Sequence, residues 1–342
     1  MKHKRVLGLL ILLEMIVLFS FSGCQSGNSD IMTEAFSYKA TDVSGSFGSP
    51  ISYADGFASS LAVIDPDHPN VGDGMLVSAQ CAILVNLAED KILYAKSPFV
   101  RMNPASITKI MTALIALESG DREANRQVGN EINFEQENIS LCGYRIGDEI
   151  SFDITLHGAL MASGNDAAAY LSTFVTEDMS EFIELMNARA VKIGATKTNF
   201  VNCHGITENG HYSTAYDLYL LFNEASANSE LISVLNEATY SSSFIRTTIY
   251  NTYRIEADYT STNQFLTGQR DYPSGVTIIG GKSGSTQDYL YNYGLYFEIN
   301  QERYVAIVLG ESSRDFLYED LYTLMETALS EAGLDNLPED RG

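Results

Sequence analysis

Ser106 and Lys109 set a hydroxyl and a primary amine three residues apart in the run Ser-Ile-Thr-Lys. On a helix that spacing puts both groups on one face. Pro104 marks the start of such a helix, so Ser106 falls in the first turn. There the free backbone N–H groups and the positive end of the helix dipole favour a developing anion. Serine needs a neighbouring base to act as a nucleophile, and lysine serves when desolvation or a second cation lowers its pKa. With 34 Ser and nine Lys in 342 residues, composition alone supplies roughly one Ser-x-x-Lys. The pattern therefore carries weight only in company.

Ser163, Gly164 and Asn165 add a second hydroxyl and a carboxamide. The same Ser-x-Asn pattern recurs at Ser26, Ser226 and Ser261. What separates Ser163 is its position at the exit of one predicted helix, just ahead of Asp166, which has the chemistry of an N-cap for the next. Lys282, Ser283 and Gly284 form a rarer combination, since composition predicts roughly a tenth of one Lys-[Ser/Thr]-Gly. They follow an apolar run, Thr277–Gly281, that reads as a strand. On an edge strand, a cation, a hydroxyl and a glycine bind a carboxylate and let a peptide backbone approach closely. The bland reading is a charge at a strand end beside a turn.

The surrounding pattern predicts what must position these groups. Ala82–Leu87, an acidic turn 88–90 and Lys91–Tyr94 predict a β-hairpin. Ile107, Ile110, Met111, Leu114 and Leu117 recur at helical spacing after Pro104. Further helices are predicted over Ile154–Met161, Ala167–Phe174 and Ser180–Ile193, the last ended by Gly194. Thr214 and Asp217 outline a capping box for a helix over Ala215–Phe222. A second hairpin, Tyr291–Ile299 and Arg303–Leu309, precedes an amphipathic helix carrying Phe316, Leu317, Leu321, Leu324, Ala328 and Leu329. Strands at both ends and helices between them predict an α/β (α+β) body: one antiparallel sheet with flanking helices and an inserted helical lobe.

Charge excludes a class of partner. Against 21 Lys+Arg stand 44 Asp+Glu, a net charge of −23, and such a field repels a nucleic-acid backbone. Cys24, Cys81, Cys142 and Cys203 lack the paired spacing of a zinc ribbon. A Cys81–Cys142 or a Cys142–Cys203 bridge is open, and nothing in the sequence selects one. No metal or cofactor is expected, because His3, His68, His157, His204 and His211 do not form a ligand set. His204 reads as structural rather than chemical.

The first 23 residues read as an address. Lys2, His3, Lys4 and Arg5 precede an apolar run, Val6–Phe21, then Ser22, Gly23 and Cys24. That is a secretory signal ending in a sequence that resembles the lipobox of bacterial lipoproteins, with Cys24 as the lipidated residue. Phe21 and Glu14 depart from the ideal. An uncleaved anchor and simple secretion are the alternatives, and all three place the remainder outside the cytoplasmic membrane. Residues 24–75, rich in Ser, Gly and Asp, read as a lipid-attached tether. The catalytic body is expected over 76–335, with a short tail at 336–342.

Beyond three short motifs, the stretches Pro104–Leu114 (PASITKIMTAL), Ser163–Ala168 (SGNDAA), Phe200–Gly205 (FVNCHG) and His211–Leu218 (HYSTAYDL) closely resemble the low-molecular-mass D-alanyl-D-alanine carboxypeptidases. These are penicillin-binding proteins of peptidase family S11, within the serine β-lactamase-like superfamily. The resemblance runs from about Leu76 to Leu329. It implies a β-lactamase/transpeptidase-like fold and hydrolysis of the D-Ala-D-Ala terminus of peptidoglycan stem peptides. By that resemblance Ser106 is the nucleophile, Lys109 its base and Ser163 a proton relay. Lys109 would be kept neutral by burial and by the charge of Lys282. Asn165 orients Lys109 and the substrate amide. The N–H groups of Ser106 and Ser285 hold the oxyanion, while Lys282 and Ser283, beside Gly284, clamp the terminal carboxylate. β-Lactams would be covalent inhibitors. Ser283 stands where relatives usually carry Thr, and Cys203 where Pro is common.

Two other functions fit the same residues. A serine β-lactamase needs a carboxylate that drives deacylation, and Glu177 and Glu184 lie downstream of the second motif. A catalytically inert, wall-binding lipoprotein would keep the fold as a recognition module.

Overall fold

The computed structural model describes residues 61–334 except 75 and 125. The signal segment, Cys24, most of the tether and the tail lie outside the described residues. Five antiparallel strands form the central sheet: β1 (Cys81–Asn86), β2 (Lys91–Lys96), β5 (Thr277–Ser285), β6 (Tyr291–Ile299) and β7 (Glu302–Glu311). Their spatial order is β2-β1-β7-β6-β5. The N-terminal hairpin thus pairs with the C-terminal one, with Ile83 opposite Ile307. Asn300 and Gln301, both at positive φ (50° and 69°), turn β6 into β7 with the twist that a tight hairpin needs.

β1 is buried at every position because its two faces serve different cores. Ile83 and Val85 join a cluster with Ile107, Met111 and Leu114 on the lobe side. Ala82 and Leu84 join Leu317, Leu321 and Leu324 on the other. The latter belong to the C-terminal helix α7 (Arg314–Glu331), capped by Ser313, which accepts from Phe316 N at 3.1 Å. Each fully buried Leu or Ile contributes on the order of 2 kcal/mol of apolar transfer, so the sheet is held from both sides.

Between β2 and β5 lies the helical lobe. A 3-10 turn (Ala105–Thr108) leads into α1 (Lys109–Ser119), and α2 (Phe152–Leu160), α3 (Asn165–Thr173), α4 (Met179–Lys192), α5 (Ala215–Ala225) and α6 (Ser229–Leu235) follow. The lobe also holds a two-stranded hairpin, β3 (Thr239–Thr247) and β4 (Thr252–Thr260), which the sequence reading left out along with α6. No helix among the described residues is long and apolar enough to cross a membrane.

Three details differ from expectation. Gly164, not Asp166, is the N-cap of α3. Thr214 does cap α5 by accepting from Asp217 N (3.0 Å), but the Asp217 carboxylate turns away, accepting from Lys197 N and Thr198 Oγ1. The box is therefore one-sided. Residues 61–74, expected to belong to the tether, pack on the body: Ala62 and Ile64 are buried, and Ala62 exchanges hydrogen bonds with Tyr219 and Tyr216 at 2.9 Å each.

Candidate active site

Ser106 lies in the 3-10 turn and Lys109 opens α1, so the two side chains meet one turn apart. Lys109 Nζ sits 3.0 Å from Ser106 Oγ, 2.8 Å from Asn165 Oδ1 and 2.6 Å from the His204 carbonyl oxygen. The lysine has no exposed surface. Gly205 makes the approach of His204 feasible. A Cβ there would fall 1.9 Å from the Ala105 carbonyl oxygen, and its φ of +86° suits glycine. Gly284 performs a related service from the sheet, since a Cβ on it would meet Ala105 Cβ and Pro104 O at 3.0 Å. The backbone that Gly284 admits is therefore the nucleophile turn of this same chain.

Ser163 and Lys282 complete the floor. Ser163 is held at φ +59°, a conformation that costs about 1 kcal/mol or more for a non-glycine residue. That strain aims its Oγ at Lys282 Nζ, 2.9 Å away. Lys282, also fully buried, donates a second bond to Ser283 O at 3.0 Å. Asp166 fixes the neighbouring loop, its carboxylate accepting from the N–H groups of Cys142, Gly143 and Tyr144 at 2.8, 2.8 and 3.0 Å. Asn165 is tied on both sides, because its Nδ2 donates to Ser140 O at 3.0 Å.

Burial lowers both amines. It brings Lys109 down to about 7, against the upward pull of Cys203, Cys142 and Asp166. Lys282 is pushed well below the ordinary lysine range by burial and then by the charge of Lys109. The sequence predicts a share for Lys282's charge in lowering Lys109; in the structure burial is the leading cause at both amines. His204 and His211 are lowered to about 3 and about 4 by burial first and the nearby Lys109 second, so both rings are neutral at neutral pH. His204 touches the lysine through its carbonyl, while its ring packs edge-on against Phe134 and accepts from Ile206 N.

Above this floor lie two contiguous cavities of about 270 and 380 Å³ that share Ser106, Ser140, Ser285, Tyr291 and Arg314. Ser163, Ser283 and Gly284 line the first, Asn165 the second. Lys109 and Lys282 stand behind the walls. The structure thus brings the eight predicted catalytic and substrate-binding residues together, with one change in arrangement. Ser283 faces the cleft, its Oγ donating to Thr262 Oγ1 at 2.8 Å, whereas Lys282 is turned inward to Ser163. The exposed cation on the wall is Arg314, which the sequence reading missed. A signal existed: a positive side chain in the first turn of a helix opposes the helix dipole, so Arg314 directly after the Ser313 cap needs another reason to be there.

Neither of the two cysteine bridges left open by the sequence forms: Cys81, Cys142 and Cys203 are free thiols. Burial raises all three, Cys203 to about 12, so they are inert at neutral pH. Glu177 pairs with Arg126 at the surface, and neither it nor Glu184 lines the cleft.

Comparison with known proteins agrees with this geometry. The sequence profile of the D-alanyl-D-alanine carboxypeptidases, peptidase family S11, matches residues 69–313. The D-alanyl-D-alanine carboxypeptidase DacF of Bacillus subtilis is 35% identical over 150 residues, 43% of this chain and 38% of that protein. DacC of Escherichia coli is 34% identical over 154 residues, 42% of this chain and 38% of the relative. The alignments thus span less than two fifths of those relatives' own length. Among solved structures, a mutant of the Streptomyces K15 DD-transpeptidase superposes with a TM-score of 0.66 at 25% identity, over 74% of this chain and 98% of that one. Penicillin-binding protein D2 of Listeria monocytogenes, in its ampicillin-bound form, gives 0.60 at 25% identity, with the same coverage. With its profile match, its shared fold and a Ser-Lys pair at the floor of the cleft, this chain belongs to the D-alanyl-D-alanine carboxypeptidase family, peptidase S11.

Proposed function

We propose that the chain is a serine-type D-Ala-D-Ala carboxypeptidase that removes the terminal D-alanine from peptidoglycan stem pentapeptides. One observation carries the reading: a buried amine with its pKa brought to about 7 lies 3.0 Å from a serine hydroxyl that opens on a cleft. Neutral Lys109 takes the Ser106 proton as Oγ attacks the carbonyl between the two D-alanines. The N–H groups of Ser106 and Ser285, two residues that line both cavities, receive the oxyanion. As the intermediate collapses, the C–N bond breaks and the leaving amine takes a proton relayed through Ser163, which Lys282 orients. Water then attacks the acyl-enzyme, and its proton passes to Ser106 Oγ as the ester bond breaks, which restores the free serine. Arg314 and Ser283 receive the substrate's terminal carboxylate, a role the sequence reading had given to Lys282 with Ser283. A β-lactam ring would acylate the same hydroxyl.

The N-terminal signal and Cys24 support an extracytoplasmic lipoprotein facing the cell wall. A catalytic body set on a membrane-attached tether suits a polymeric substrate outside the cell.

Mass spectrometry of a stem pentapeptide incubated with wild type and with Ser106→Ala tests the reading. Loss of one alanine with the first and none with the second is expected. Equal cleavage by both proteins overturns the assignment. A penicillin adduct on Ser106 that lasts minutes or longer fits the carboxypeptidase, whereas sub-second turnover would make the protein a β-lactamase.

A further inference from the structure

The two halves of the cleft differ in charge. Arg314 stands where they meet, and the first cavity, with Ser283 and Thr262, holds no carboxylate. The second is walled by residues 137–140, 205–207 and 285–287, with Tyr289. Beyond the shared Arg314, the one charged residue in its lining is Glu137. Glu137 lines the cavity itself, beside Ser140 and across the nucleophile from Ser283. Among the described residues it has no hydrogen-bond or ion-pair partner.

A substrate threaded through both halves has its direction fixed by this asymmetry. Its terminal carboxylate goes to Arg314 and its acyl side passes Glu137. The residue preceding D-Ala-D-Ala lies on that acyl side, and in stem peptides built on lysine it carries a free amine. Resting on the carboxypeptidase reading, we infer that Glu137 is a specificity-determining residue that selects stem peptides whose residue before D-Ala-D-Ala bears a free, cationic side-chain amine. Stem peptides whose amine is already acylated by a cross-link are then poorer substrates. An exposed Glu–ammonium pair is a modest contact, which makes this a preference of a few fold rather than a gate.

The test compares Nα-acetyl-Lys-D-Ala-D-Ala with its Nε-acetylated counterpart on the whole protein. Wild type should cleave the free-amine peptide roughly threefold better in kcat/KM at low salt, with the difference in KM rather than kcat. The preference should fade at about 0.5 M salt, where exposed charges are screened. Glu137→Gln should bring the ratio of the two rates to about one. Glu326→Gln, the same charge change on the exposed face of α7, should keep the preference. Equal rates for the two peptides in wild type, or an undiminished preference in Glu137→Gln, overturns the inference and leaves the carboxypeptidase reading standing. A longer-lived penicillin adduct in Glu137→Gln also overturns it, by assigning the carboxylate to deacylation. No cleavage of either peptide and no adduct on Ser106 overturns the reading on which it rests.

Discussion

Replacing Asn165 by Asp puts a carboxylate oxygen where Oδ1 now lies 2.8 Å from Lys109 Nζ, with almost no change in shape. An opposite charge at that distance favours the ammonium and raises the amine's pKa by about 1–3 units. In the wild type, with Lys109 at about 7, the neutral fraction is about one half at pH 7 and about nine tenths at pH 8. A one-unit rise leaves about one tenth neutral at pH 7, so acylation of Ser106 should slow about fivefold there, and more for a larger shift. The sign follows from the role: the base acts deprotonated, so the rate climbs with pH and levels off above the pKa. The assay is the rate of penicillin acylation, followed by intact mass across about pH 5.5 to 10 at constant ionic strength. Wild type should show an inflection near 7, and Asn165→Asp should move it to 8 or beyond while the rate still climbs to an alkaline plateau, lowered by loss of the Nδ2 bond to Ser140 O. That climb separates a titration effect from structural damage. A flat wild-type profile, an inflection near 10, or an unmoved inflection in the variant would refute the assignment of Lys109 as the base.

Arg314→Gln should raise KM for a D-Ala-D-Ala peptide about tenfold or more, the loss of a charge-assisted contact, with little effect on a peptide whose C-terminus is amidated. Steady-state kinetics on the two peptides reads this out, and an equal loss on both would dismiss the carboxylate role. Gly205→Ala should cost about 3 kcal/mol or more and abolish penicillin labelling, because the new Cβ overlaps the Ala105 carbonyl oxygen; denaturant unfolding and a labelling gel measure both. Asp166→Asn turns one backbone-accepting oxygen into an amide that faces N–H donors. Stability should fall by about 2 kcal/mol, and hydrogen exchange should quicken at Gly143 and Tyr144.

Much of the site was legible because covalent chemistry restricts residue type. Only a hydroxyl beside a desolvated amine gives a Ser-Lys pair, so Ser106 and Lys109 stood out once two companion motifs followed in order. The paired outer hairpins were legible for a different reason: apolar runs interrupted by short turns leave few alternatives. Asp166 was misread because a helix cap and a loop clamp use the same interaction, a carboxylate accepting backbone N–H, and spacing does not tell them apart. The β3–β4 hairpin escaped because its packed face alternates Tyr240, Ser242, Phe244 and Arg246, half of it polar. Arg246 is admitted there by Asp148, at 2.6–2.7 Å, a partner about a hundred residues away that no local pattern reveals. Lys282 was placed in the right cleft but facing outward, since burial of an amine depends on what packs above it.

Two amines beneath one cleft also tie maturation of the molecule to its surroundings. In the unfolded chain both lysines are charged, and each must shed much of its charge to enter the floor. Folding near neutral pH therefore expels protons, and acid pulls against it. Calorimetry in buffers of unlike ionisation enthalpy would register that release as a buffer-dependent heat. In an acidifying medium Lys109 would take up a proton, so catalytic competence would fade as its amine becomes charged.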